Sequence, residues 1–339
     1  MRVCDWIADH LYNKGVYYVY GLMGGGASGL NDGFIKHGKI KYICFHHEQG
    51  AGHAAIGEAK YSGNFSVVNP TTGCGGTNCA TSVLDAWQDS VPVLFLSGNV
   101  RSDTCSSVIN TQKNINIRKY GIQEHNIIEN YKSITKYVKF IENVEEVAYE
   151  LKKAIHIATS GRKGPVWLDI PSNIQTAEMS FDNWKTFYPE DDIPIFTKED
   201  VITIKHELNK SSRPLILSGN GVIQSQSKRQ FATFIEKYQI PFVTTYGARD
   251  LMPSDHPLNI GAIGIKGSRA GNFALTNCDL LLILGCSLNS SHIGYDPKQF
   301  SPKSKKIYLD CDKNELKKNI INIDLSINGT LQEFFGGIL

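Results

Sequence analysis

Apolar residues come along this chain in short runs separated by longer stretches of mixed polarity, and the rhythm repeats from the first residues onward. The opening MRVCDWIADHLYNKG places its apolar side chains at helical spacing and reads as an amphipathic helix. Residues 16–20 (VYYVY) then read as a buried strand and 28–37 as a short helix. A second strand over 41–45 leads into a helix of small residues, QGAGHAAIGEAKYSG. A strand over 66–69, a glycine-rich turn, a helix over 78–87 and a strand over 92–97 continue the alternation. A helix over 144–159 and a strand over 166–170 complete a first block. Strands that are apolar throughout, set between helices, predict a parallel sheet covered on both faces.

Between 171 and 197 the periodicity fades into FDNWKTFYPEDDIPIFT, the composition of an interdomain connection. A second block of the same kind follows. Its helices are predicted over 199–208, 227–238 and 268–276, and its strands over 214–217, 242–245, 280–284 and 306–309. The expected fold class is therefore α/β, with two doubly wound parallel-sheet domains. The first spans 1–175, a linker runs over 176–197, and a Rossmann-like domain spans 198–339. A length of 339 residues agrees with about two domains at roughly 150 residues each.

Composition narrows the function classes. Lys and Arg total 35 against 33 Asp and Glu, a formal net charge of +2, which argues against nucleic-acid or basic membrane-surface binding. Glycine is abundant, 31 residues against 12 prolines, which suggests sites of close backbone approach rather than linkers. The eight cysteines contain no C-x-x-C pair and lie in apolar segments, so they read as buried free thiols. With no signal-peptide pattern at the start and no apolar run of membrane-spanning length, the expected location is cytoplasmic.

The sharpest local pattern is GGGASG at 24–29, a literal G-x-G-x-x-G between a predicted strand and helix. Glu48 follows the last glycine by 48 − 29 = 19 residues, the spacing of a dinucleotide fingerprint. A tight turn whose glycines only permit close packing fits the same letters. What surrounds Glu48 points elsewhere. HHEQGAGHAA crowds small residues around one carboxylate, as an acid meeting a flat heteroaromatic ring requires. A second glycine-rich turn, TTGCGGTN at 71–78, puts hydroxyls at the mouth of the same predicted cleft. His46, His47 and His53 are available acid–base groups, of which only His47 adjoins Glu48, and packing or cofactor-wall roles are favoured for all three.

The segments GLMGGGASGLND, HHEQGAGHAAIGEA and VVNPTTGCGGTNCATSVLDAWQDSVPVLFLSGNV resemble the pyrimidine-binding domain of thiamine-diphosphate enzymes of the acetolactate-synthase type, and within them the branch that accompanies surface-polysaccharide gene clusters. GIQE (121–124), SITKY (133–137) and GRKGPVWLDIP (161–171) extend the match. RPLILSGNGV, VTTYGARDLMPSDHPLNIGAIG, NCDLLLILGCSL and KIYLDCDKNELKK resemble the central domain of the same family. The resemblance implies that Glu48 is catalytic: it hydrogen-bonds N1′ of the aminopyrimidine and so promotes removal of the thiazolium C2 proton, while the cofactor acts as the electron sink for a 2-oxo acid such as pyruvate. It further implies that Gly24 and Gly25 wall the pyrimidine, that Cys74 and Asn78 lie on the turn beside it, and that Gln123 is the active-site glutamine. There are departures from the family pattern. Cys74 and Met23 stand where prolines are usual, and Glu58 where an aromatic is common.

The family's third domain holds the diphosphate through Mg²⁺, with a Gly-Asp-Gly signature that this sequence lacks. No metal ligand is assigned here, and the Asp310–Asp312 pair matches a central-domain strand end. For the central domain, FAD binding at 219–221, 264–267 and 285–287 and a purely supporting role both remain open. Ser287 stands where flavin-binding relatives carry an arginine. The first expectation is a carboligase or decarboxylase, a transferase or lyase, whose diphosphate-binding domain comes from another chain or a missing segment. It would work as a homo-oligomer, dimer or tetramer, or with that separate chain. The alternatives are a non-catalytic interaction or regulatory module of the same fold, and a dinucleotide-binding oxidoreductase.

Overall fold

A computed structural model describes residues 1–179, 185–189 and 196–339. The chain divides into two compact units, Met1–Glu190 and Asp191–Leu339. Of the connection expected at 176–197, residues 180–184 and 190–195 lie outside the described residues. Residues just before them turn back to the chain start: Val3 N–H donates to Ala177 O (2.9 Å), and Met179 N–H to Met1 O (2.9 Å).

Each unit is a six-stranded sheet in which every strand pair is parallel. In unit 1 the strands are β1 (Tyr18–Gly21), β2 (Lys41–Cys44), β3 (Ser66–Asn69), β4 (Val93–Asn99), β5 (Tyr137–Phe140) and β6 (Val166–Pro171), in the order β2-β1-β3-β4-β6-β5. Unit 2 contains β7 (Pro214–Ser218), β8 (Phe242–Thr244), β9 (Asn259–Ala262), β10 (Leu280–Leu284), β11 (Lys305–Asp310) and β12 (Leu325–Asn328), in the order β12-β11-β10-β7-β8-β9. The fold is α/β with two doubly wound parallel sheets. Among the described residues no helix is long and apolar enough to cross a membrane.

Side-chain alternation along the strands divides each core into two layers. On β4, Leu94 and Leu96 join Ile7, Leu11, Phe34 and Leu151 on one face of the sheet. Val93 and Phe95 join Ala51, Ala55, Val83 and Trp167 on the other. The second layer is thin because helix Glu48–Ser62 buries mostly alanine and glycine, which lets it lie close to β1 and β3. In unit 2, Leu280, Leu282 and Leu284 pack with Phe231, Phe234, Phe334 and Phe335, while Leu281 and Ile283 face the opposite layer.

Three strands went unpredicted: β5, β9 and β12. All three are sheet edges with partly exposed side chains, so they carry no continuous apolar run. The helix expected over 78–87 is found over Ala80–Gln88, and a separate helical turn, Cys74–Thr77, precedes it.

Two stability measurements follow from this packing. Phe231 is fully buried and meets Phe242 edge-on at 5.3 Å, so Phe231→Ala should cost about 3–5 kcal/mol, read as a lower urea midpoint. His10 stacks on Trp6 at 5.0 Å, its Nε2 is buried without a partner, and burial lowers its pKa from 6.5 to about 4. The unfolded chain therefore takes up this proton first as pH falls. Stability should drop between about pH 6.5 and 4. His10→Phe should flatten that part of the curve in pH-dependent thermal unfolding.

Candidate functional site

Strand order in unit 1 reverses between β1 and β3, so the connections leaving their carboxyl ends diverge and leave a crevice between them. Both glycine-rich turns lie at this point, one after β1 and the other after β3. They interlock. A Cβ on Gly24 would strike the Thr71 side chain, and one on Gly26 would strike Thr72. A Cβ on Gly75 would lie 2.7 Å from Thr71 Cγ2. Gly25 is different: nothing stands within 4 Å of where its Cβ would be, so it forms an open wall.

Glu48 opens helix Glu48–Ser62 and is only 7% exposed. The amide dipoles at a helix start favour a carboxylate there. Oε2 accepts a hydrogen bond from Asn78 Nδ2 at 2.6 Å, across from the second turn. Oε1 lies over Gly75, 3.1 Å from where a Cβ would stand. Asn78 Nδ2 also lies 3.4 Å from His47 Nε2.

The second turn extends toward Gln123. Gly73 has φ +55°, and a Cβ on it would strike the Gln123 carbonyl oxygen. Gln123 itself has φ +59°, an uncommon conformation for its type, and its side chain is exposed. The neighbouring Glu124 is buried and accepts a hydrogen bond from Tyr120 N–H at 3.0 Å, which anchors the turn from beneath. Cys74 is an exposed free thiol at the start of the single helical turn Cys74–Thr77.

Of the residues singled out from sequence, Glu48 and Asn78 touch directly. Gly24, Gly25 and Cys74 sit on the two interlocked turns, and Gln123 on a third turn docked against Gly73. His53 is directed along its own helix, with Nδ1 2.8 Å from Gln49 O and Nε2 3.7 Å from Asp85. Glu58 lies near Tyr20, burial raises its pKa, and its Oε2 is buried without a hydrogen-bond partner. Sequence reasoning missed Gln175. This residue is fully buried; its Nε2 donates to Gly26 O and Ile170 O, both at 2.7 Å, and its Oε1 accepts from Leu30 N–H. It clamps the first turn from beyond the sheet, and nothing in its local sequence announces that role.

The donor set fits a flat nitrogen heterocycle. One carboxylate oxygen is held by Asn78, the other faces a residue with no side chain, and Gly25 leaves room alongside. In unit 2 the strand order reverses between β7 and β10. Here the turns bond each other: Gly219 N–H donates to Leu284 O and Gly221 N–H to Gly285 O, both at 2.9 Å. Ser287 Oγ lies 3.4 Å from Glu315 and 3.5 Å from Lys318 Nζ. Among the described residues, no group of three His, Cys, Asp or Glu side chains could hold a metal ion.

Comparison with known proteins agrees with this geometry. Residues 1–130 match the thiamine pyrophosphate enzyme N-terminal TPP binding domain, and 201–337 match the thiamine pyrophosphate enzyme central domain. The chain is 33% identical over 315 residues to the acetolactate synthase isozyme 1 large subunit of Escherichia coli, covering 93% of this chain and 53% of that protein. It is 32% identical over 339 residues to the acetolactate synthase large subunit of Lactococcus lactis, covering 98% and 56%. The chain thus spans little more than half the length of these curated relatives. With both domain types matched in order along one chain, it belongs to the thiamine pyrophosphate enzymes.

Proposed function

We propose that this chain supplies the pyrimidine-binding and central domains of a thiamine-diphosphate-dependent carboligase or decarboxylase that acts on a 2-oxo acid such as pyruvate. The observation that carries the reading is Glu48, buried in the crevice between β1 and β3, bonded to Asn78 and facing Gly75. When bound, thiamine diphosphate supplies the carbon nucleophile and the electron sink for decarboxylation. The task of this chain is narrower. Glu48 hydrogen-bonds the aminopyrimidine ring and holds or moves a proton there, Asn78 fixes its carboxylate, Gly25 lets the ring approach the backbone, and Gly24 keeps that turn close against Thr71. Cys74 and Gln123 line the approach for substrate.

Mg²⁺ and the diphosphate are assigned to a domain of the kind that the longer relatives accommodate, on this or another chain. The relatives' designation as large subunits supports work in an assembly, taken here with the family resemblance as a homo-oligomer in the cytoplasm. No step is assigned to FAD, because the backbone donors of Gly219 and Gly221 at the β7/β10 crevice are already spent within the fold. The dinucleotide reading of GGGASG loses its basis for the same kind of reason: Thr71 and Thr72 pack against its glycines.

Glu48→Gln in the assembled enzyme should lower pyruvate turnover by about 10²–10⁴-fold, the usual worth of a positioned acid–base group. Unchanged turnover would remove Glu48 from the mechanism. Lack of turnover in the unaltered assembly would favour a non-catalytic module. Asn78→Ala deletes a hydrogen bond to the carboxylate and should lower kcat roughly 10–100-fold while the fold is kept, as checked by circular dichroism alongside steady-state kinetics.

A further inference from the structure

We infer that Asp169 is a positioning residue for both glycine-rich turns, acting through Ser97 and Asn99 on Gly98. The inference deepens the reading above and rests on it for its catalytic consequence. Asp169 lies on β6, directly opposite Ser97 in the β4 register, and is 1% exposed. Its Oδ1 accepts a hydrogen bond from Ser97 Oγ at 2.6 Å, and Oδ2 accepts one from Asn99 Nδ2 at 2.7 Å. The network continues outward without a loose end. Trp167 Nε1 donates to Ser97 Oγ at 2.8 Å, and Asn99 Oδ1 accepts from Val100 N–H at 2.8 Å.

Ser97 and Asn99 flank Gly98, so their grip sets where its backbone lies. Gly98 meets both turns. Its Cα is packed on Gly26 and Ala27 of the first, so closely that a Cβ would overlap their backbone. Its N–H donates to Pro70 O at 3.2 Å, and its carbonyl accepts from Thr72 Oγ1 at 3.3 Å, both in the stretch after β3. A small shift of β4 at this point would therefore move Gly24–Gly26 and Thr71–Gly75 together.

An acid is a costly choice for this strand. Burial pushes the Asp169 carboxyl up to about 7, opposed by the two donors. Both groups that oppose the rise, Ser97 and Asn99, are neutral, so no positive charge compensates the buried carboxylate through a direct bond. An apolar side chain would serve the sheet as well. What the acid adds is a bidentate fix on alternate residues of the adjoining strand.

The test uses donor–acceptor reversal in the full chain. Asp169→Asn leaves one acceptor oxygen where Ser97 and Asn99 each donate to one, and should raise hydrogen exchange about tenfold or more at residues 24–29 and 71–76. Exchange in helix Val3–Asn13 and in unit 2 should stay unchanged. The double variant Asn99→Asp with Asp169→Asn turns the bond around, keeps an acceptor for Val100 N–H and for Ser97, and should restore slow exchange. Ser97→Ala, a milder lesion, should loosen the same two turns if the single amide variant does not fold. In the assembled enzyme, Asp169→Asn should lower kcat and weaken thiamine diphosphate binding while leaving the pyruvate KM unchanged, and the reversal should recover both. Slow exchange at both turns in Asp169→Asn, or a reversal no better than the single variant, would overturn the inference. Failure of Glu48→Gln to affect turnover would overturn the functional reading and leave the exchange result standing.

Discussion

The site depends on a single steric constraint: two backbone turns approach each other, and a third strand, more closely than a methyl group allows. Gly24 and Gly26 press against the threonines of the second turn, and Gly98 presses against the first. Side chains at these positions would hold the turns apart and open the crevice into a loose cleft. The carboxylate of Glu48 would then face solvent rather than Gly75. In a parallel sheet such approach is available only where strand order reverses, because elsewhere a crossing connection fills the space. The functional geometry is thus a property of topology first and of residue chemistry second.

Two of the buried acids in this region, Glu48 and Asp169, are treated in opposite ways. Glu48 sits at a helix start, where amide dipoles favour its charge, and keeps one oxygen toward the crevice. Asp169 lies mid-sheet with both oxygens committed to the neighbouring strand. One carboxylate is presented and the other is consumed. The contrast separates a group able to meet a ligand from one that organises the backbone around it.

Much of this was legible in the sequence because the informative residues are local. Central strands announce themselves as apolar runs, and the helix after Glu48 by its glycine and alanine content. Glu48, Asn78 and the two turns lie within short, unusual stretches. Edge strands such as β5 and β12 were not legible, since half-exposed residues leave no run to read. Gln175 and Asp169 escaped for a different reason. Each is one polar residue in an ordinary segment, and its meaning lies in partners far away: Asp169 binds residues 70 and 72 positions earlier, and Gln175 a carbonyl 149 positions earlier. Single-residue polar anchors of this kind become visible only when the sheet is assembled.

The place of β6 has a consequence for how unit 1 is made. It is the last strand of its sheet in sequence, yet it lies between β4 and β5. On a ribosome, β4 (VLFLSGN) emerges more than sixty residues before its second neighbour, with one edge of hydrogen-bonding groups unpaired. At roughly 5–20 residues per second, that edge stays open for several seconds. An apolar, unpaired strand edge is a template for pairing with other chains. The same insertion that later lets Asp169 reach Ser97 and Asn99 therefore leaves one edge of β4 open in the nascent chain until residue 171 has cleared the exit tunnel.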